Sequence, residues 1–380
     1  MDHYRVLVIG PRRALLEVLR ARGIPFSVWQ DKARFAIDDA GTLVTAPLWN
    51  TTEKLKRLIG DAFGQGRYTH VIAGGEMAVY PAAVARRVLG SRLSPASTAL
   101  RCRDKLEMKQ YLSGFEIPMT GFMAEADARS AAEAFACLGS PLVRKQRKSS
   151  GGRGLEIIHR PQDLVLRRDG RTLLEAYVSA PEASIESFVN DGRIHFTSTT
   201  RYLEKTRVNF VPAGFDTALL DAMLDLNRRV IEALRINWGM THLEVYLTED
   251  GPLFGEIGLR PPGGYIMNTL QHVYGFNPWA ALVAMELGET FGFPAAVSAW
   301  GGVEVLHPGA GRVQAIRGER QVREHPATRE FRVKVKVGDM IAPRTGVGED
   351  VGHLLFCCAS PAARDEAFRY FRRVFAIELE

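Results

Sequence analysis

Two glutamates and an arginine stand out between Asn237 and Asn268, in the stretch NWGMTHLEVYLTEDGPLFGEIGLRPPGGYIMN. The turn-forming Thr248-Glu249-Asp250-Gly251-Pro252 is flanked by apolar runs of period two, the pattern of a β-hairpin. Alternation assigns Leu243, Val245, Leu247, Leu253, Ile257 and Leu259 to the core face, and His242, Glu244, Tyr246, Phe254, Glu256, Gly258 and Arg260 to the other. Glu244 and Glu256 are each six residues from Asp250, so a turn centred there sets their carboxylates opposite one another. Like charges so placed repel. A hard divalent cation removes the penalty, because Mg²⁺ takes one or two carboxylates and fills its other positions with water and phosphate oxygens. Arg260 would then reach a phosphate or carboxylate beside the metal. Gly258 leaves room on that face, and Pro261-Pro262-Gly263-Gly264 fits a rigid turn bringing backbone close to a ligand. A charged, solvated hairpin face is the plain alternative.

A second chemical stretch runs from Arg144 to Gly154, RKQRKSSGGRG. Backbone N–H groups of a Gly/Ser-rich loop can cradle phosphates, with neighbouring cations adding charge. No GK[ST] follows, so it is not a Walker loop, and a flexible hairpin connection is the alternative. Gly74-Gly75-Glu76 ends a strand, where open α/β sheets bind ligands; taken alone the signal is weak, and an ordinary βα turn is the reading it favours. Tyr202, Lys205 and Arg207 fall between strands and could meet a substrate carboxylate, or be surface charge. His242 lies on the polar face, either lining a site or satisfied structurally.

These residues need elements to hold them, and the chain supplies an α/β succession. Residues 1–95 alternate strand and helix, with strands at 5–9, 26–29 and 70–73 and helices at 14–22, 52–63 and about 81–89. That is a βαβ series, hence a small parallel sheet. Its first turn, Gly10-Pro11-Arg12-Arg13, lacks the later glycines of a dinucleotide fingerprint. Residues 96–180 carry a helix through Leu112 capped by Ser97 or Asp104, a strand near 120–123, a helix at 130–138 and the strand 141–145 that runs into the Gly/Ser-rich loop. Residues 181–295 hold a hairpin turning at Asn190-Asp191-Gly192, a long helix at 216–234, the hairpin described above and a helix at 278–287. Residues 296–380 are strand-rich, with strands near 302–306, 313–316, 331–335 and 351–356 and a closing helix at 360–374.

The 380 residues are 46% hydrophobic and 24% charged, ordinary for a soluble enzyme, with material for two or three domains. A net charge of +6 without a basic run gives no reason to expect nucleic acid. Four cysteines without CxxC spacing fit a reduced, cytoplasmic chain. The first residues enter a strand with no signal-like region, and no apolar stretch is long enough to suggest a membrane span.

Taken together, in order and spacing, these parts resemble the ATP-grasp superfamily of carboxylate-amine ligases, over most of the chain. The RPPGG sequence is most similar to the amino-acid and dipeptide ligase branch. The resemblance implies an ATP-grasp fold: a Rossmann-like pre-ATP-grasp domain (1–95), a lid region (96–180), a large subdomain with the metal hairpin (181–295) and a C-terminal β-rich subdomain (296–380). It implies that Lys105 and Lys145 hold ATP phosphates and that the loop of Ser149, Ser150, Gly151, Gly152 and Gly154 closes over them. It further implies that Glu175, Tyr177 and Val178 meet the adenine and Glu182 the ribose. Glu244 and Glu256 match Mg²⁺ ligands, with Mn²⁺ as a substitute, and Arg260 matches the arginine that steadies an acyl phosphate; Arg260, Glu256 and Lys145 are the expected catalytic residues. Many relatives have Glu-x-Asn-x-Arg where this chain has Glu256-Ile257-Gly258-Leu259-Arg260, so a usual metal ligand is replaced by glycine. The function implied is amide or peptide bond formation from small-molecule carboxylate and amine substrates, in a homodimer by family habit. An ATP-dependent carboxylase and a non-catalytic ATP-binding scaffold are the alternatives.

Overall fold

The computed structural model describes residues 4–36, 41–91, 96–344, 346 and 348–380. The expected first domain boundary, at residue 95, lies outside the described residues. The chain begins with β1 (Val6–Ile9), α1 (Arg13–Ala21), β2 (Phe26–Gln30), β3 (Leu43–Thr45), α2 (Thr52–Phe63), β4 (His70–Ala73) and α3 (Val79–Leu89). The four strands are parallel in the order β3-β2-β1-β4. β1 is wholly buried, as a parallel strand covered on both faces must be. Leu7 and Ile9 share a cluster with α2 and α3, and Val6 and Val8 one with α1. This order brings the carboxyl ends of β1 and β4 together. A Cβ at Gly74 would lie 2.3 Å from the Gly10 carbonyl oxygen, so only glycine fits that approach.

Two helices follow where the sequence suggested one, α4 (Ala96–Arg101) and α5 (Lys105–Leu112). Asp104 separates them and caps α5, accepting from the Leu106 and Glu107 N–H groups at 3.2 and 3.4 Å. Next come β5 (Phe122–Ala124), α6 (Ala131–Leu138), β6 (Leu142–Gln146), β7 (Glu156–Ile158) and β8 (Thr172–Ala176), a sheet ordered β5-β8-β6-β7. The Gly/Ser-rich loop is the β6–β7 connection, antiparallel through Arg144 and Glu156.

The remainder comprises β9 (Glu182–Asn190), β10 (Arg193–Glu204), β11 (Val208–Val211), α7 (Thr217–Leu234), β12 (Gly239–Thr248), β13 (Gly251–Gly258), α8 (Ile266–Tyr274), α9 (Pro278–Leu287), β14 (Trp300–Leu306), β15 (Gly311–Arg317), α10 (Glu319–Glu324), β16 (Thr328–Val333), β17 (Met340–Ile341), β18 (Gly352–Cys358), α11 (Pro361–Val374) and β19 (Ala376–Leu379). An eight-stranded sheet runs β13-β12-β9-β10-β11-β14-β18-β16, so strands from beyond residue 296 extend the sheet that contains the hairpin. β15, β17 and β19 form a separate three-stranded sheet. The β9–β10 turn has positive φ at Asp191 (51°) and Gly192 (70°), the backbone a two-residue hairpin favours. α7 lays Met223, Leu226, Val230 and Leu234 on Leu243, Val245 and Ile257, each buried aliphatic contributing about 1.5–3 kcal/mol. α8 was not expected, because Pro261 to Gly264 reads as loop punctuation that conceals the helix start.

One register detail corrects the sequence reading. β12 and β13 are joined by a two-residue turn at Glu249-Asp250, and a bulge interrupts the ladder beside Glu244, where Gly255 is the unpaired extra residue. Val245 therefore faces Phe254, which is fully buried in the core, and Leu253 leaves the core face it was assigned. Beyond the bulge the expected alternation returns, and Glu244 pairs directly with Glu256. Gly255 is needed there, since a Cβ would stand 2.9 Å from the Glu244 carbonyl oxygen.

Candidate active site

The paired carboxylates of Glu244 and Glu256 are both partly exposed on a cavity of about 890 Å³. Each is met by a side-chain nitrogen, one from α5 and one from β12. Lys105, the first residue of α5, places Nζ 2.9 Å from Glu256 Oε2 and donates to the Ser149 carbonyl at 2.9 Å, tying the second carboxylate to the Gly/Ser-rich loop. His242, one same-face position before Glu244, places Nε2 3.3 Å from Glu244 Oε1 and Nδ1 2.9 Å from Glu186 Oε1. Glu186 is completely buried and also accepts from Ser184 and Thr200 at 2.6 and 2.8 Å. Burial opposes charge on the imidazole, but the hydrogen bonds to Glu186 and Glu244 raise its pKa above the ordinary value. Burial would likewise raise the Glu244 carboxyl; His242, Lys205 and Arg260 outweigh it and hold the group below its ordinary range. His242 thus orients a cavity carboxylate while its other nitrogen is anchored in the sheet.

Lys145, just past the buried part of β6, donates to Glu175 Oε2 at 2.8 Å and to the Tyr246 hydroxyl at 3.4 Å. Burial would lower its pKa, and Glu175 and Tyr246 reverse that. Lys109, which the sequence reading did not single out, is almost fully buried behind it. It donates to Thr120 Oγ1 at 2.8 Å and stands 3.6 Å from Glu175 Oε2. Glu175 therefore serves two lysines, which hold its pKa down against burial. Its Oε1 is buried without a hydrogen-bond partner among the described residues.

The loop from Ser149 to Gly154 turns through positive φ at Gly151 (66°), Gly152 (74°) and Gly154 (69°). Its base is fixed by Arg147, bidentate to Asp104 at 2.8 Å on both oxygens, and by the Lys105 N–H donating to the Arg147 carbonyl at 2.9 Å. Its far side, from Gly152 to Gly154, is exposed.

Arg260 approaches from the end of β13. Its Nε donates to Glu76 Oε2 at 2.5 Å, and Arg103 pairs with the other oxygen of the same carboxylate. Burial would raise the Glu76 carboxyl, but Arg260 and Arg103 keep it low. The room left by Gly258 is used here: a Cβ on it would meet Arg260 Nε at 3.1 Å and Glu76 Oε2 at 3.2 Å.

Of the residues singled out from sequence, Lys105, Lys145, Ser149, Ser150, Gly151, Gly152, Glu182, Glu244, Glu256 and Arg260 line this one cavity, as do Tyr202, Lys205 and His242. Gly154, Glu175, Tyr177, Val178 and Arg207 are not among its lining residues. Glu175 lies behind Lys145, and Tyr177 is exposed. Lys205 is engaged by Glu182, Nζ to Oε1 at 2.5 Å, rather than free for a substrate. Arg12, Arg103 and Lys109 were the residues missed, and Glu76 had been named only as part of its turn. The Gly74-Gly75-Glu76 turn was the available signal, but nothing local to it points to Arg260, 184 residues away.

Comparison with known proteins bears on the fold and on the C-terminal part of the chain. Residues 304–380 match the family described as L-amino acid ligase C-terminal domain 2. An L-arginine-specific L-amino acid ligase of Bacillus subtilis is 25% identical over 274 residues, 67% of this chain and 64% of that protein, so the chain spans slightly less than two thirds of that relative's length. The crystal structure of an L-amino acid ligase from Bacillus licheniformis superposes with a TM-score of 0.82 at 19% identity, covering 99% of each chain. A carboxyaminoimidazole ribonucleotide synthase from Aspergillus clavatus, solved in complex with ATP, gives 0.75 at 15% identity over 98% of each chain. The chain therefore has the fold of the ATP-grasp enzymes, and its residues 304–380 are similar to the C-terminal domain of L-amino acid ligases.

Proposed function

We propose that this chain is an ATP-dependent ligase that joins the carboxylate of one amino acid to the amine of another through an acyl phosphate, releasing ADP and phosphate. The observation that carries the reading is the convergence of the opposed Glu244 and Glu256 with Lys105, Lys145, Arg260 and the Gly/Ser-rich loop on a single cavity. The C-terminal family match and the likeness to an L-amino acid ligase structure support it.

Glu244 and Glu256 would hold Mg²⁺, or Mn²⁺ in its place. Among the described residues no group of three or more His, Cys, Asp or Glu side chains is arranged to hold a metal. A donor set of two carboxylates suits an ion that completes its shell with phosphate oxygens and water. When bound, the ion would neutralise charge on the phosphoryl oxygens. Lys105 and Lys145, each fixed by a carboxylate, would present two cations to the transferring phosphate, where positioning and charge supply most of the acceleration. Ser149, Ser150, Gly151 and Gly152 would cover the phosphates, with Gly154 closing the turn, and keep water from the reactive intermediate. The segment Glu175, Tyr177 and Val178 would meet the adenine, and Glu182 the ribose hydroxyls. The substrate carboxylate attacks the γ-phosphate, Arg260 steadies the resulting acyl phosphate through its fork of donors, and the amine displaces phosphate. The division at about residues 95, 180 and 295 into a pre-ATP-grasp domain, lid, large subdomain and β-rich end belongs to the same reading, as do a cytoplasmic location, a homodimer and the absence of a nucleic-acid partner.

Mg²⁺-dependent phosphate release from ATP, measured across single amino acids and amino acid pairs, tests the proposal. Release that requires an amino acid supports the ligase. A carboxylase is the second reading, favoured by the likeness to the ribonucleotide synthase, and release driven by bicarbonate alone would select it.

A further inference from the structure

Two guanidinium groups are moored on three consecutive residues of the turn after β4. Arg260 is held by the Glu76 carboxylate. Arg12, in the turn after β1, donates from Nε to the Gly74 carbonyl at 3.1 Å, and its NH2 atom lies 3.1 Å from where a Cβ on Gly75 would be. Gly75 therefore leaves just enough space for the Arg12 guanidinium to lie across the turn. The two differ in one respect. Arg260 Nε meets a carboxylate, which Arg103 shares, whereas Arg12 Nε donates to a neutral carbonyl oxygen. Burial, Arg260 and Arg34 oppose its charge, and Asp31 favours it. Arg12, Asp31, Arg34 and Arg260 all line the cavity, on its side formed by the parallel sheet. An incompletely neutralised guanidinium beside a second one, facing a cavity, is a receptor for an anion.

Resting on the ligase reading, we infer that Arg12 binds the carboxylate of the amine-bearing substrate. The acid substrate's own carboxylate is consumed beside Arg260. The carboxylate that survives the reaction is that of the amine partner, and in an α-amino acid it is separated from the attacking nitrogen by a single carbon. When the nitrogen reaches an acyl group steadied by Arg260, that carboxylate falls within the neighbourhood where Arg12 is moored. The class of acceptor selected is thus an amino acid with a free α-carboxylate, in preference to an amine or amino acid amide.

The test uses the full-length enzyme, ATP, Mg²⁺ and an acid substrate identified by hydroxamate formation with hydroxylamine, an amine that has no carboxylate. The wild type is expected to show a KM at least tenfold lower for an amino acid acceptor than for its amide. Arg12→Ala should raise the KM for the amino acid about tenfold or more and leave the KM for the amide and the rate of hydroxamate formation within about twofold. Arg12→Lys, keeping charge but losing the fork, should lie between. An Arg12→Ala enzyme that still discriminates amino acid from amide as the wild type does overturns the inference. So does an equal loss of hydroxamate formation, which would place Arg12 at the acid or nucleotide. If the wild type forms no hydroxamate with any acid, the ligase reading fails and the inference with it.

Discussion

Glu76, just past the end of β4, accepts a hydrogen bond from Arg260 Nε at 2.5 Å and so locks the parallel sheet to the β12–β13 hairpin across 184 residues of sequence. Arg103, whose side chain is 2% exposed, takes the other carboxylate oxygen. Glu76→Gln removes the charge that steadies both arginines. We expect kcat to fall on the order of 10- to 100-fold, somewhat less than the loss of a direct oxyanion donor, with KM for ATP little changed. Steady-state kinetics separate the two constants, and a loss carried by the KM for ATP instead would argue that Glu76 supports the nucleotide.

Gly258 stands where the ATP-grasp resemblance leads one to expect asparagine, and the structure gives a reason for glycine there. A Cβ would press on Arg260 Nε and Glu76 Oε2 at 3.1 and 3.2 Å. Gly258→Asn is therefore expected to lower turnover at least about tenfold by displacing Arg260, rather than to improve metal binding. A titration of activity against Mg²⁺ checks this; tighter Mg²⁺ with undiminished turnover would show that the site has room after all.

The bulge at Gly255 makes a stability prediction. Phe254 is fully buried, so Phe254→Ala should destabilise the protein by about 3–5 kcal/mol. Leu253→Ala, on the other side of the strand, should cost far less. Had the strict alternation expected from sequence persisted, the two costs would be reversed. Denaturant unfolding of both variants decides.

His242 and Glu244 give the stability a defined pH dependence. The folded-state pKa of His242 is raised above 6.5, so its contribution is fully present below about pH 6.5 and lost as pH rises through the folded value. That of Glu244 is lowered below 4.5, so its contribution is present above about pH 4.5 and lost as pH falls through the folded value. Both act together between those two values. His242→Gln should remove the decline on the alkaline side of that window, measured by unfolding free energy from pH 5 to 9. An unchanged pH profile would mean the imidazole is not protonated in the folded state.

How much of this was legible beforehand depended on whether the information was local. The hairpin, the facing of Glu244 and Glu256, and the parallel sheet follow from period-two runs and turn residues, which neighbouring positions specify. The pairing was reached through two offsetting errors: the turn is centred half a residue earlier than expected, and the bulge restores the register. Phe254 was misassigned for that reason. Glu175 illustrates the other limit. Whether its carboxylate faces the cavity or Lys109 depends on a residue 66 positions away in an unrelated helix. Glu76 and Arg12 are the same case, since a βα turn looks alike whether or not a distant arginine docks on it. α8 stayed hidden because the Pro/Gly run before it reads as loop.

The most direct test of the central claim is Mg²⁺-dependent hydroxamate formation with ATP and a panel of amino acids, run on the wild type and on Glu256→Gln, with thermal melts to confirm that the variant is folded. We expect the wild type to form hydroxamate with at least one amino acid. The variant should lose at least about 100-fold of that rate, the scale set by removing one element of preorganised charge stabilisation, while melting normally. A folded Glu256→Gln protein that forms hydroxamate at the wild-type rate would contradict the assignment of the paired carboxylates as the site of acyl phosphate formation.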